Sequence, residues 1–149
     1  MNLAISSAEY NSRRRRLAAE LPTRQLDALL VSHLPNVRYL TGFTGSNGVL
    51  LLLPDAALLF TDPRYRFQAP VESSCPVRVA GGSLLLAALK AANRFKARSL
   101  GFESAHLSYE SAENLKGHLQ LAAALLPTTD LDEALRLIKS PAEVALIRR

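Results

Sequence analysis

This chain has no tryptophan and a single cysteine, and aromatic residues make up only 6% of its 149 residues. One thiol, Cys75, can form neither an internal disulfide nor a cysteine-ligated zinc cluster, which favours a reducing compartment. No apolar run reaches the roughly 18 residues of a membrane helix, and the N-terminus lacks the apolar core of a signal peptide. We therefore expect a cytoplasmic protein without a membrane span.

The composition is that of an ordinary globular protein. Hydrophobic residues make up 48% of the chain and charged residues 21%, which argues against disorder. A chain of this length fits one domain that buries roughly 70% of its unfolded surface. Because aromatic residues are few, the core must be built from Leu, Ala and Val.

The net charge of +5 raises the question of nucleic-acid binding. Part of the excess lies in the run Arg13–Arg16, within a predicted helix. Four consecutive helical residues point around a full turn, so they cannot share one basic face, and no aromatic residue is interleaved among them for base stacking. We expect solvated arginines, keep docking of a partner as an alternative, and do not expect nucleic-acid binding.

Apolar runs and capping residues predict alternating strands and helices. A first helix is expected from Ser6 to about Leu21, before Pro22, and a loop at 33–36. The expected strands are 27–32, 49–53, 56–60, 76–80, 99–103 and 124–128, and further helices are expected at 64–71, 83–95 and 108–119. Since 49–60 reads as a hairpin and the later units as βαβ, we predict an α/β sandwich with a mixed sheet of about six strands flanked by helices.

The C-terminal segment contains a strong helix-start signal. Ser140 is a candidate N-cap, Pro141 follows at the first helical position, and Glu143 completes a capping box. The printed sequence ends six residues later at Arg149, and an isolated helix this short is marginal in water. We therefore expect a domain over residues 1–132 and, over 133–149, a linker that leads into the first helix of a further domain.

No catalytic or metal-binding motif is evident along the chain. His33, His106 and His118 are scattered in sequence, without an HExxH motif or a Cys/His cluster. The segment GFTGSNG lacks the Lys and Ser/Thr of a phosphate-binding loop, and Ser46 has no evident base. We therefore expect no catalytic residue and no metal ligand set in this chain.

Three segments together resemble a known family. NVRYLTGFTGSNG, FTDPRYRFQA and the ending LRLIKSPAEVALIRR resemble the N-terminal domain of the creatinase, prolidase and aminopeptidase P enzymes, and the FTGSNG loop is closest to the aminopeptidase P branch. The resemblance covers nearly the whole chain. It implies a three-layer α/β sandwich of ribonuclease H-like architecture.

The resemblance also implies a non-catalytic domain of a Xaa-Pro metallopeptidase, either an aminopeptidase P or a Xaa-Pro dipeptidase. In this family the peptide bond before proline is hydrolysed in a following pita-bread domain. There two Asp, one His and two Glu hold two divalent metal ions, Mn, Co or Zn. The alternatives are a stand-alone interaction module of the same fold and a creatinase-like amidinohydrolase parent.

Matching positions give candidates for the substrate entrance or an oligomer interface: Phe43, Thr44, Ser46, Asn47, Arg64 and Tyr65. Pro63 stands where relatives frequently have glycine, so the corner beside Arg64 is expected to differ in detail. The implied partners are the chain's own C-terminal catalytic domain, further copies in a homodimer or larger homo-oligomer, and short proline-containing peptides.

Overall fold

A mixed six-stranded sheet forms the centre of the molecule. The computed structural model describes residues 4–120 and 123–148, so Arg149 of the predicted linker lies outside the described residues. The strands are β1 Ala28–Val31, β2 Gly48–Leu52, β3 Ala57–Thr61, β4 Val77–Val79, β5 Ser99–Glu103 and β6 Ala124–Thr128. Their order is β4-β3-β2-β1-β5-β6. The β1–β2 and β2–β3 pairs are antiparallel and the other three are parallel, which confirms the predicted mixed sheet.

Helices cover both faces of this sheet. Those in the described part of the chain are α1 Ser7–Thr23, α2 Leu34–Thr41, α3 Gln68–Glu72, α4 Leu84–Arg94, α5 Tyr109–Lys116, α6 Leu131–Leu137 and α7 Pro141–Ile147. A 3₁₀ turn, Pro63–Tyr65, precedes α3. The α/β sandwich is thereby confirmed. No helix within residues 4–120 and 123–148 is long and apolar enough to cross a membrane.

The central strands are buried on both sides, which explains why they read as unbroken apolar runs. Successive side chains of a strand point to opposite faces. Leu29 and Leu50 accordingly pack with α1 and α2 on one face, whereas Leu30 and Leu51 pack with α4 on the other. All four are fully buried.

The segment expected to be a loop at 33–36 begins helix α2, and that prediction was wrong. Pro35 lies in the first turn, where its missing N–H costs no hydrogen bond. Gly42 ends the helix with φ 87°, a left-handed conformation that glycine adopts without strain. Helix α6 was also not predicted, and α1 continues past Pro22 to Thr23.

The arginine run is only half solvated, which corrects the expectation of a fully solvated run. Arg15 and Arg16 are exposed, but Arg13 and Arg14 are buried. Arg13 Nη1 donates to the carbonyl of Tyr39 at 2.9 Å, and Arg14 Nη1 donates to that of Leu40 at 2.7 Å. The carbonyls in the last turn of a helix lack intrahelical partners, so the two guanidinium groups cap the end of α2.

Candidate functional site

Two loops meet at one edge of the sheet and bring most of the predicted entrance residues together. One loop leads into β2 and the other leaves β3. Gly48 at the start of β2 lies opposite Thr61 at the end of β3, so the antiparallel pairing places the two loops side by side. We name their polar residues the rim cluster: Thr44, Ser46, Asn47, Asp62, Arg64 and Tyr65.

Asp62 is the centre of the rim cluster. Its carboxylate accepts hydrogen bonds from the backbone N–H of Arg64 at 3.0 Å and from Arg64 Nε and Nη2 at 3.0 and 2.8 Å. Asn47 Nδ2 donates to the same carboxylate at 2.9 Å. The Arg64 side chain, followed by that of Asn47, holds the pKa of Asp62 well below its usual range. The charge of Asp62 is therefore neutralised within the loop.

Tyr65 links the two loops through its phenolic oxygen. The backbone N–H of Ser46 donates to this oxygen at 3.0 Å, and Ser46 Oγ lies 2.5 Å from it. The hydrogen bonds between Ser46 and Tyr65, that of the side chain first, lower the pKa of Tyr65. The partner of the Ser46 hydroxyl is thus a phenol rather than a histidine.

Phe43 supports the rim cluster from beneath. Its side chain is 1% exposed and meets the Tyr65 ring edge-to-face, with the centroids 5.3 Å apart. A Cβ at Gly45 would overlap the Phe43 ring, so this position requires glycine. Among the predicted entrance residues, Phe43 is therefore placed in the core rather than at the surface.

Helix α3 supplies two rim contacts that the sequence did not reveal. Glu72 accepts hydrogen bonds from the backbone N–H and the hydroxyl of Thr44, both at 2.8 Å, and Gln68 Nε2 donates to Glu72 at 3.0 Å. Burial raises the pKa of Glu72, but the hydrogen bonds from Thr44 and Gln68 together with the charge of Arg38 outweigh it and hold the pKa below its usual value. Neither residue follows a motif, and only the packing of α3 brings them to the loop.

The rim cluster is a polar and partly exposed surface. Its members are polar and mutually hydrogen-bonded, and the Arg64 side chain is 67% exposed. Positioned polar groups on loops at the edge of a rigid sheet are typical of binding surfaces.

A second polar cluster brings together two of the three histidines that are scattered in sequence. The rings of His33 and His106 stack with their centroids 3.7 Å apart. His106 Nε2 lies 2.8 Å from Glu133 Oε1. Glu103, at the carboxyl end of β5, lies close enough to His106 and Glu133 that one ligand atom from each falls within 4.8 Å of the others. His118, by contrast, contacts the backbone carbonyl of Asn114.

Comparison with known proteins identifies the family. A family model described as the creatinase/prolidase N-terminal domain matches residues 13–138. This chain belongs to the creatinase/prolidase N-terminal domain family. The match covers most of the chain, from α1 to the end of α6.

The relatives are peptidases. The uncharacterized peptidase YqhT of Bacillus subtilis (strain 168) is 35% identical over 123 residues, which cover 82% of this chain and 35% of the relative. The Xaa-Pro dipeptidase from Bacillus anthracis superposes with a TM-score of 0.87 at 28% identity, covering 93% of this chain and 39% of that chain. The chain thus spans little more than a third of the length of these two relatives.

Isolated N-terminal domains also match. The N-terminal domain of the cytoplasmic peptidase PepQ from Mycobacterium tuberculosis H37Rv superposes with a TM-score of 0.79 at 36% identity. That match covers 84% of this chain and 98% of the other. A domain of this family therefore folds and crystallises without a catalytic domain attached.

The residues described here do not assemble the ligand set that the resemblance implies for a two-metal centre. That set consists of two Asp, one His and two Glu. Within residues 4–120 and 123–148, only the three residues Glu103, His106 and Glu133 form a potential ligand group. The rim cluster lies on different loops and contributes none of them.

Proposed function

We propose that this chain is the non-catalytic N-terminal domain of a Xaa-Pro metallopeptidase, either an aminopeptidase P or a Xaa-Pro dipeptidase. The observation that carries the proposal is the superposition on the Bacillus anthracis Xaa-Pro dipeptidase. This chain covers 39% of the length of that enzyme. The remainder of the parent contains the pita-bread domain, in which two divalent metal ions, Mn, Co or Zn, activate the attacking water. The division into residues 1–132 and a linker from 133 stays a prediction.

In this proposal the rim cluster borders the substrate entrance and the oligomer interface of the parent. Arg64 and the exposed rim hydroxyls face outward from a rigid support, as an entrance edge requires. An edge of this kind excludes folded chains sterically and admits short proline-containing peptides. The parent is a homodimer or a larger homo-oligomer in the cytoplasm, a location that agrees with the cytoplasmic PepQ relative.

The exposed apolar residues near the C-terminus support docking of a catalytic domain. Leu137, Ile138 and Ile147 are 80%, 73% and 68% exposed. They lie on or beside α6 and α7, where the chain leads out of the sandwich. If the chain were a stand-alone module, the same surface would bind a partner protein. A creatinase-like parent enzyme would differ from the proposed peptidase only in its substrate.

Two experiments test the proposal: an assay of peptidase activity and sequencing of the reading frame that follows Arg149. The 149-residue chain should not hydrolyse Ala-Pro or Ala-Pro-containing peptides when Mn²⁺, Co²⁺ or Zn²⁺ is added, as measured by release of alanine. The frame encoding it should continue past Arg149 into a domain with two Asp, one His and two Glu ligands. Hydrolysis by the pure chain, or a stop codon after Arg149, would contradict the proposal.

A further inference from the structure

A groove lies between helix α4 and the β3–β4 end of the sheet. Helix α4 packs mainly against β1, β2 and β3, and β4 extends the sheet beyond it as the edge strand. The groove has a volume of about 540 Å³, which is within the usual range of small-molecule sites. None of the rim-cluster residues lines it. The groove is therefore a surface that the proposed function does not use.

The floor and the wall of the groove are apolar. Leu58 and Phe60 are alternate residues of β3, so both point to the face on which α4 packs. Ala87 and Ala91 are one turn apart on α4 and line the wall. Phe95 follows α4 at one end of the groove and is 54% exposed. An apolar ligand would thus find contacts along the whole length of α4.

The rim of this groove is positively charged. Lys90 and Arg94 lie one turn apart on α4, and Arg78 lies opposite them on β4. All three side chains are exposed, and no acidic residue lines the groove. None of the three forms an ion pair within residues 4–120 and 123–148. Their charges are therefore free to attract a ligand that carries a negative group.

We propose that this groove binds an amphiphilic carboxylate of the fatty-acid type. The unbranched chain would lie on the apolar floor, where leaving water is favourable in proportion to the apolar area covered. The carboxylate would lie at the positive rim, where long side chains can pair with it and keep their charged ends in water. This ligand is not a peptide, so the inference does not depend on the proposed function.

The dimensions of the groove favour a small molecule over a protein partner. A stable protein–protein interface buries about 800 Å² on each partner. Of the exposed large apolar side chains in the described part of the chain, only Val79 and Phe95 line the groove. Helix α4 has 11 residues and is about 16 Å long, so the groove beside it suits one extended acyl chain.

The test is binding of dodecanoate to the 149-residue chain near pH 7.5, below the micelle concentration of the ligand. Isothermal titration should show one molecule per chain, with a dissociation constant on the order of 100 µM, as is typical of a single acyl chain. Octanoate should bind at least about tenfold more weakly, because its chain covers less apolar surface. Dodecylammonium, which has the opposite charge, should bind at least about fivefold more weakly.

Variants of the rim and of the wall test the two parts of the site separately. The double variant Lys90→Gln with Arg94→Gln should weaken dodecanoate binding by about fivefold to tenfold, since one exposed ion pair contributes up to about fivefold. Ala87→Phe should abolish binding, because the ring would fill the groove. The matched control is Arg16→Gln with Arg24→Gln, which removes the same net charge from exposed positions outside the groove and should leave binding unchanged.

Circular dichroism shows whether each variant is folded. Absence of saturable dodecanoate binding, or equal affinity for dodecanoate and dodecylammonium, would overturn the proposal. Unchanged binding in the folded rim and wall variants would also overturn it. Sedimentation of the ligand-free chain provides a separate check: a dimer that Ala87→Phe dissociates would show that a second copy of the chain occupies the groove instead.

Discussion

The two buried arginines of α1 show how single side chains join elements in this domain. Arg13 extends from α1 to both α2 and α7. Its guanidinium is 4.2 Å from the centre of the Tyr39 ring in α2 and 3.5 Å from Glu143 Oε2 in α7. Arg14 also donates to Ser74 Oγ at 2.6 Å, ahead of β4. Burying a guanidinium is costly unless its donors are occupied, and backbone carbonyls accept from both arginines, whereas Arg13 Nη2 has no hydrogen-bond acceptor within the described residues and only approaches Glu143.

Removing Arg14 should therefore destabilise the protein far more than removing its neighbour. Arg14→Ala leaves the carbonyl of Leu40 without this donor, and we expect a loss of about 2–3 kcal/mol in the free energy of unfolding. Arg15→Ala, at an exposed position of the same helix, should change it by less than about 0.5 kcal/mol. Urea denaturation of both variants measures the difference, and equal losses would show that the contacts of Arg14 do not stabilise the fold.

Among the elements, the parallel pair β1–β5 is fastened at its start by a side chain. The Asp27 carboxylate accepts from the backbone N–H of Arg98 at 2.7 Å and of Ser99 at 3.2 Å. The hydrogen bond from Arg98 is the main reason that the pKa of Asp27 is lowered. The ionised form is thus favoured in the folded state, so the contact stabilises the protein only while Asp27 is charged.

The pH dependence of this contact has a definite sign. Its stabilisation is fully present above the ordinary Asp pKa of about 3.9 and is lost as the pH falls through the lowered folded value. Asp27→Asn should therefore make stability less sensitive to pH in that acidic range. Asp55→Asn, in the exposed β2–β3 turn, serves as the control for loss of a surface carboxylate. Melting temperatures between pH 2.5 and 7 measure the effect, and parallel curves for Asp27→Asn and wild type would contradict it.

At the scale of the whole molecule, the arrangement separates a rigid sandwich from two surfaces with different chemistry. The rim cluster lies where β2 begins and β3 ends, and it is polar. The surface of α6 and α7 presents exposed Leu137, Ile138 and Ile147. In the proposed parent enzyme, an N-terminal domain would use two such surfaces. The polar rim cluster would border the substrate entrance, and the apolar α6–α7 surface would contact the following domain.

Rim variants of the full-length parent test this arrangement. Arg64→Ala and Tyr65→Phe should raise KM for short proline-containing peptides by up to about tenfold, the cost of one lost hydrogen bond. Because the rim does not touch the reacting atoms, kcat should stay within about twofold. Arg15→Ala, an exposed arginine on α1, is the matched control. If KM is unchanged in both rim variants, and their melting temperatures show that the fold is intact, the rim cluster does not border the substrate entrance.

The predictable part of the site followed from the hairpin. Once β2 and β3 were assigned, their short turn required the flanking loops to meet, which brought Ser46 and Asn47 to Tyr65 and Asp62. The contribution of Glu72 was not predictable, because it depends on where α3 packs. His106 and Glu133 were missed for the same reason, since 27 residues separate them and no spacing rule joins them.

Local patterns were enough to determine the six strands, the capping box at Ser140 and the mixed sheet, because each depends on side-chain periodicity or on caps within a few neighbouring residues. They were also enough to indicate the family through its motifs. The burial of Arg13 and Arg14 and the cluster around Glu103 were decided by packing. Strand order and helix docking bring together groups from 26 to 71 residues apart, and no local periodicity carries that information.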